Sequence, residues 1–182
     1  MAFNSQPTLA GPRLTLRPLA AEDREGLRAA ASDPSTWEQH PARQCDTPEV
    51  FNPYFDFLLG AGGTLAVWED DQIIGCSRYY SVPDQTADIG IGFTFLSPSH
   101  WGGHFNREIK RLMIDHAFGT FGQIWFHIAP DNLRSQIATT RLGAEWRYDA
   151  ELDLGTGPSA NKCYAMTPQT WAAAAEMVRG RK

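Results

Sequence analysis

Apolar and polar positions change their period several times along this chain, and each change marks an element. From Arg13 to Leu19 the apolar residues alternate with polar ones and the run stops at Pro18, a strand pattern. Ala20 to Ala31 is rich in Ala, Glu, Leu and Arg, which are good helix formers, and ends near Ser32 and Pro34. Thr47 is an N-cap with Pro48 at the first helical position, opening a helix through Tyr54 to Leu59 that Gly60 to Gly63 ends. Strands follow over 64–69 and 73–80, joined by Asp70 and Asp71, a hairpin signal. After a turn at Pro83 comes a strand over 87–96. The next helix begins near Asn106. It sets Ile109, Leu112, Met113 and Ala117 on one stripe and leaves Arg107, Lys110 and Arg111 outside it. A strand over 123–128, a helix from Asn132 to Leu142 closed by Gly143, and a strand over 145–152 follow. The Gly, Pro and Ser residues at 155–160 read as a loop before a strand over 162–166, and 171–178 reads as a terminal helix. The order β-α-α-β-β-β-α-β-α-β-β predicts an α/β (α+β) domain, a mixed sheet with helices on it and not a doubly wound one.

Composition narrows the function. A length of 182 residues fits one core. We place the domain at 13–178, behind a flexible lead-in at 1–12 that carries Pro7, Gly11 and Pro12. The net charge of −5 argues against nucleic acid as the main ligand, because no broad basic surface is implied. The three cysteines, Cys45, Cys76 and Cys163, are far apart and form no CxxC pair, which fits a reducing compartment without a disulfide framework or zinc site. No stretch approaches the roughly 18 apolar residues of a membrane span, and the expected location is the cytoplasm.

The candidate chemistry sits where the strand over 87–96 runs into a helix. Between them stand Pro98, Ser99, His100, Trp101, Gly102 and Gly103, followed by His104, Phe105 and Asn106. Unpaired N–H groups and the positive end of the helix dipole make such a junction a phosphate seat, and the glycines let a ligand approach the main chain. An ordinary turn capped by Asn106 has the same composition. A second junction lies downstream, where the strand over 123–128 leads through Ala129, Pro130 and Asp131 to Asn132. Asn132 and Ser135, three apart at a helix start, can face one ligand, although the pair is also an N-cap arrangement. His100 and His104 are four apart, but no further metal ligand accompanies them, and no metal is expected.

These two junctions, together with Leu16 to Leu19, Ile91 to Leu96 and Arg141 to Ala144, resemble the GNAT superfamily of N-acetyltransferases. Within it the chain is most similar to the RimJ/RimL-like branch, the ribosomal-protein N-terminal acetyltransferases. The resemblance implies a mixed, mostly antiparallel sheet with splayed central strands, and acetyl-CoA as cosubstrate. It departs from the general diphosphate signature by having Ser99 at the first position and His104 at the last, with Gly102 matching between them. A side chain thus stands where the general family uses backbone alone.

The resemblance also implies roles. Trp101, Gly102, Gly103, His104, Phe105 and Asn106 would seat the diphosphate. Backbone N–H groups near Phe95 and Leu96 would hold the thioester carbonyl, and Asn132 would bond the pantetheine amide. Ser135 would protonate the departing thiolate, because no tyrosine lies between Asn132 and Leu142. The base that takes the proton of the amine is left open among Asp88, Glu38, His40 and a water relay. Trp37 to Tyr54 is the expected acceptor region. The activity implied is direct acetyl transfer to a primary amine, on a small molecule or a protein N-terminus, in a ternary complex. A non-catalytic acyl-CoA sensor of the same fold is the alternative.

Overall fold

The computed structural model describes residues 2–102 and 104–179. Its elements run β1 (Leu9–Ala10), β2 (Leu14–Pro18), α1 (Arg24–Ala31), α2 (Pro48–Gly60), β3 (Thr64–Glu69), β4 (Gln72–Val82) and β5 (Gln85–Leu96). They continue α3 (His104–Phe118), β6 (Ile124–Ile128), α4 (Leu133–Arg141), β7 (Glu145–Asp153), β8 (Pro158–Met166) and α5 (Pro168–Arg179). The eight strands form one sheet in the order β1-β2-β3-β4-β5-β6-β8-β7. Pairing is antiparallel at β1/β2, β2/β3, β3/β4, β6/β8 and β7/β8, and parallel at β5/β6. This is the mixed, mostly antiparallel sheet that the sequence implied. The parallel pair exists because α3 carries the chain back to the starting end of the sheet before β6.

Two compact units divide the chain: Met1–Tyr79 with Phe93–Asp115, and Tyr80–Gly92 with His116–Lys182. In the first unit, Leu14 and Leu16 point inward on β2 while Arg17 lays its guanidinium over the Trp68 ring at 3.6 Å. The core there holds Leu27, Trp37, Phe51, Phe55 and Leu58 from the helical segments, against Ala66 and Cys76 from the strands. Glu108 on α3 fastens the start of β2: its Oε1 accepts from Arg13 N and Leu14 N, each at 2.9 Å. In the second unit, Val82, Trp125, Cys163 and Ala165 form a cluster of strand residues. The parallel register covers only Ile89↔Ile124 and Gly90↔Trp125, although β6 runs on to Ile128. A ladder that short is what splayed strands leave behind.

Four expectations need correction. Leu9 and Ala10, placed in the lead-in, pair with Leu16 and Thr15, so the sheet takes in residues ahead of the expected boundary. The final strand begins at Pro158, inside the expected loop, because Asp153 N-terminal to the turn pairs with Pro158 and the ladder closes from there. The helix expected from Asn106 starts at His104, which makes Asn106 a residue of its first turn and not its cap. Lys110, expected outside the apolar stripe, is buried.

Candidate active site

In the first unit the loop after β5 is held by a chain of polar contacts. His100 Nδ1 lies 2.6 Å from Ser97 Oγ and 2.9 Å from Ser99 Oγ, and its Nε2 lies 3.1 Å from Glu69 Oε2. Glu69 also takes Arg13 NH2 at 2.9 Å, and Arg13 stacks over Phe105 at 4.6 Å. His100 is therefore a strut within the loop. No three His, Cys, Asp or Glu side chains gather as a metal site among the described residues. Trp101 Nε1 donates to Leu96 O at 2.9 Å, which folds the loop back on the end of β5. Gly102 adopts φ +88, and a Cβ built there meets nothing within 4 Å. Its backbone is thus open to a ligand, in a conformation that side chains disfavour. His104 is exposed, whereas Phe105 and Asn106 are half-buried. Gly103 lies outside the described residues.

Upstream of this loop, Phe93 takes φ +50 in mid-strand, a local break of the kind that re-aims a strand's N–H groups. Phe95 and Leu96 after it are buried. The expected acceptor region forms an aromatic cluster in the same unit. The ring of Trp37 stands 5.0 Å from His40, 6.0 Å from Tyr54 and 4.9 Å from Phe95. Tyr54 Oη is buried there without a hydrogen-bond partner among the described residues, and burial raises its pKa well above the usual phenol value. His40 is buried with Nδ1 accepting from Ala42 N at 3.1 Å, while Glu38 is exposed. The carboxylate and the imidazole are therefore not displayed side by side as the sequence suggested.

In the second unit, Asn132 is the N-cap of α4, and its Oδ1 accepts from Ser135 N at 3.1 Å. The capping reading of this pair is real, but it uses the backbone of Ser135. The Ser135 Oγ makes no hydrogen bond among the described residues and is left for other work. Asp88 is half-buried, and its Oδ2 accepts from Gln123 Nε2 at 3.0 Å and from Trp125 Nε1 at 2.8 Å. Through these two bonds Asp88 clamps β5 to β6.

A sequence model of the acetyltransferase (GNAT) domain matches residues 13–145, well over half of the chain. The chain belongs to the GNAT acetyltransferase family. Solved structures of GNAT proteins share the fold. A GCN5-related N-acetyltransferase from Brucella melitensis is 17% identical at a TM-score of 0.78, over 96% of this chain and 85% of that one. RimJ of Mycobacterium smegmatis, solved with CoA-disulfide, is 16% identical at 0.70, over 96% and 94%. A GNAT acetyltransferase from Bacillus anthracis is 16% identical at 0.71, over 90% and 99%. No curated protein matches the sequence. The GNAT fold uses acetyl-CoA, and acyl transfer is the activity of the family. No helix among the described residues is long and apolar enough to cross a membrane.

In this GNAT domain, two groups were not expected from the sequence to be functional, and the cysteines, which were expected to be free, can now be placed. The Lys110 ammonium is buried, donating to Thr94 Oγ1 at 2.7 Å and Ser77 Oγ at 3.2 Å, and burial pulls it down to about 7. In the second unit Tyr80 Oη lies 2.8 Å from His127 Nδ1, and burial pulls that imidazole down to about 4. The signal for His127 was a lone histidine in the apolar strand from Ile124 to Ile128, alternating with core residues. Finally, the three cysteines are all buried and free. Burial pushes Cys45 up to about 11 and Cys76 up to about 12, and raises Cys163 as well.

Proposed function

We propose that this protein is an acetyl-CoA-dependent N-acetyltransferase of the RimJ/RimL-like kind, passing the acetyl group straight from the thioester to a primary amine in a ternary complex. The observation that carries direct transfer is the state of the thiols. A covalent acetyl-cysteine route needs a thiolate within reach of the thioester, and every cysteine here is buried and held in its thiol form. The amine is therefore the nucleophile.

Each unit contributes its own part to this reading. In the first, Trp101, Gly102, Gly103, His104, Phe105 and Asn106 seat the diphosphate, and backbone N–H groups near Phe95 and Leu96, beyond the break at Phe93, hold the carbonyl as charge develops on it. The Trp37 to Tyr54 cluster supplies an aromatic wall for the acceptor. In the second unit, Asn132 bonds the pantetheine amide through its free Nδ2, and Ser135 Oγ protonates the thiolate as it leaves. The RimJ neighbour, solved with CoA-disulfide, supports the branch and the cosubstrate; the acceptor in this reading is a protein N-terminus or a small amine.

Initial rates measured with acetyl-CoA and amine varied together test this. The acceptors are N-terminal peptides, polyamines and aminoglycosides, with thiol release and acetylated product both followed. Intersecting lines are expected, with no acetyl group retained on the protein. Parallel lines with an acetylated cysteine peptide would overturn direct transfer. Tight acetyl-CoA binding without any acetylated amine would favour the sensor.

A further inference from the structure

The second unit holds a polar pair that the assignments above leave unused. Tyr80 on β4 and His127 on β6 lie on strands separated by β5, yet their side chains meet at 2.8 Å. The path between them crosses β5 at Gly90 and Gly92. A Cβ at Gly90 would strike the Tyr80 ring, and one at Gly92 would come within 3.0 Å of it. Alternate glycines in a strand weaken it, and here they clear the way for a phenol to reach an imidazole. His127 is further oriented by stacking on Trp125, with centroids 5.9 Å apart and planes 6° from parallel. Trp125 is in turn fixed by its bond to Asp88. The other ring nitrogen, Nε2, is buried and has no hydrogen-bond partner among the described residues. A native fold rarely leaves such an atom unsatisfied unless something else completes it. His127 also follows the last registered β5–β6 pair by two residues, where the strands part.

We propose that His127 is the proton acceptor of the transfer reaction, with Nε2 facing the amine and Tyr80 holding the ring from behind. This rests on the N-acetyltransferase reading given above. The amine nitrogen bonds to the acetyl carbonyl carbon, and once that bond has formed the nitrogen's proton passes to Nε2. The C–S bond then breaks with its electron pair on sulfur, and the thiolate takes a proton from solvent, either directly or through Ser135, which regains one as it gives one. The imidazolium keeps Nδ1–H on Tyr80 Oη and returns its extra proton to solvent. Burial holds the imidazole neutral at physiological pH, so the lone pair is available. A base this weak suffices because a nitrogen already bonded to the carbonyl carbon is a far stronger acid than the free ammonium. Tyr80 on β4 and Cys163, directly opposite on β8, are the titratable groups beside it, and Asp88 on β5 acts through Trp125.

His127→Gln places an amide where the ring was and cannot carry the proton. It should lower kcat/KM for the amine by about 10²-fold or more, with acetyl-CoA affinity and melting temperature close to the parent. Tyr80→Phe keeps the ring over the glycines and should lower kcat several-fold. Added imidazole should restore part of the activity of His127→Ala, which a purely structural loss would not allow. An active parent matched by His127→Gln, or a His127→Ala loss indifferent to imidazole, overturns the assignment and leaves the N-acetyltransferase reading standing. A parent that acetylates no amine overturns both.

Discussion

Replacing Lys110 by methionine should make the protein more stable, and more so at neutral pH than at alkaline pH. Lys110 reaches from α3 into the first unit, where Ser77 Oγ and Thr94 Oγ1 accept from it. Burial brings its pKa from 10.5 to about 7. Between those values the unfolded chain binds the proton and the folded chain does not, so stability rises with pH across the window. Below it, lysine is charged in both states and the full penalty of burying the charge is present. The fall from 10.5 to about 7 corresponds to about 5 kcal/mol. Methionine preserves the unbranched stem and fills the space. It forfeits the amine's hydrogen bonds, at a cost of about 1 kcal/mol. The two hydroxyls are not stranded, because Ser77 Oγ and Thr94 Oγ1 already bond each other at 2.8 Å. The expected gain is on the order of 4 kcal/mol near pH 6, falling with pH and turning into a loss of about 1 kcal/mol near pH 11, where only the forfeited hydrogen bonds remain. Urea denaturation of parent and variant across that range gives a difference curve in which all other titrations cancel. A difference that is flat with pH, or a less stable variant at every pH, would refute the reasoning.

Three further outcomes follow from the site. Gly102→Ala, at φ +88 with open space around the Cβ, should cost about 1–2 kcal/mol of backbone strain and weaken acetyl-CoA binding in calorimetry. Ser135→Ala should slow turnover by about 10²-fold while leaving the melting temperature alone, because the cap uses the Ser135 N–H and not its hydroxyl. Tyr54→Phe removes a buried hydroxyl without a partner and should raise stability by about 1 kcal/mol in denaturant titration. If Tyr54 also contacts the acceptor, the KM for amine will rise in the same variant.

Much of the fold is legible in local pattern. Pro48 opening α2, Gly143 after α4 and the alternation of β2 are one-dimensional signals, and the structure follows them. The failures share a cause: they depend on a partner distant in sequence. Leu9 and Ala10 make a strand only because β2 offers an edge, and Pro158 belongs to β8 only because Asp153 lies opposite. A helical wheel places Lys110 outside the apolar stripe, since it contains no record of the two hydroxyls that receive the ammonium. The same limit applies to the site. Glycines at 102 and 103 and the Asn132/Ser135 spacing are visible as motifs. That Asp88 is a clamp, that His40 is turned into a core, and that Tyr80 meets His127 across β5 are facts of three-dimensional register.

The carboxylate of Glu108 provides a built-in probe of motion. Its Oε1 is the acceptor for two amide protons, those of Arg13 and Leu14, which lie more than ninety positions earlier in the chain. Exchange of those two protons with deuterated solvent requires α3 to let go of the start of β2, however briefly. Their exchange rates, read together by heteronuclear NMR, therefore report the detachment of α3 without any added label. A ligand seated at the start of α3 would slow both in proportion, far from the atoms it touches.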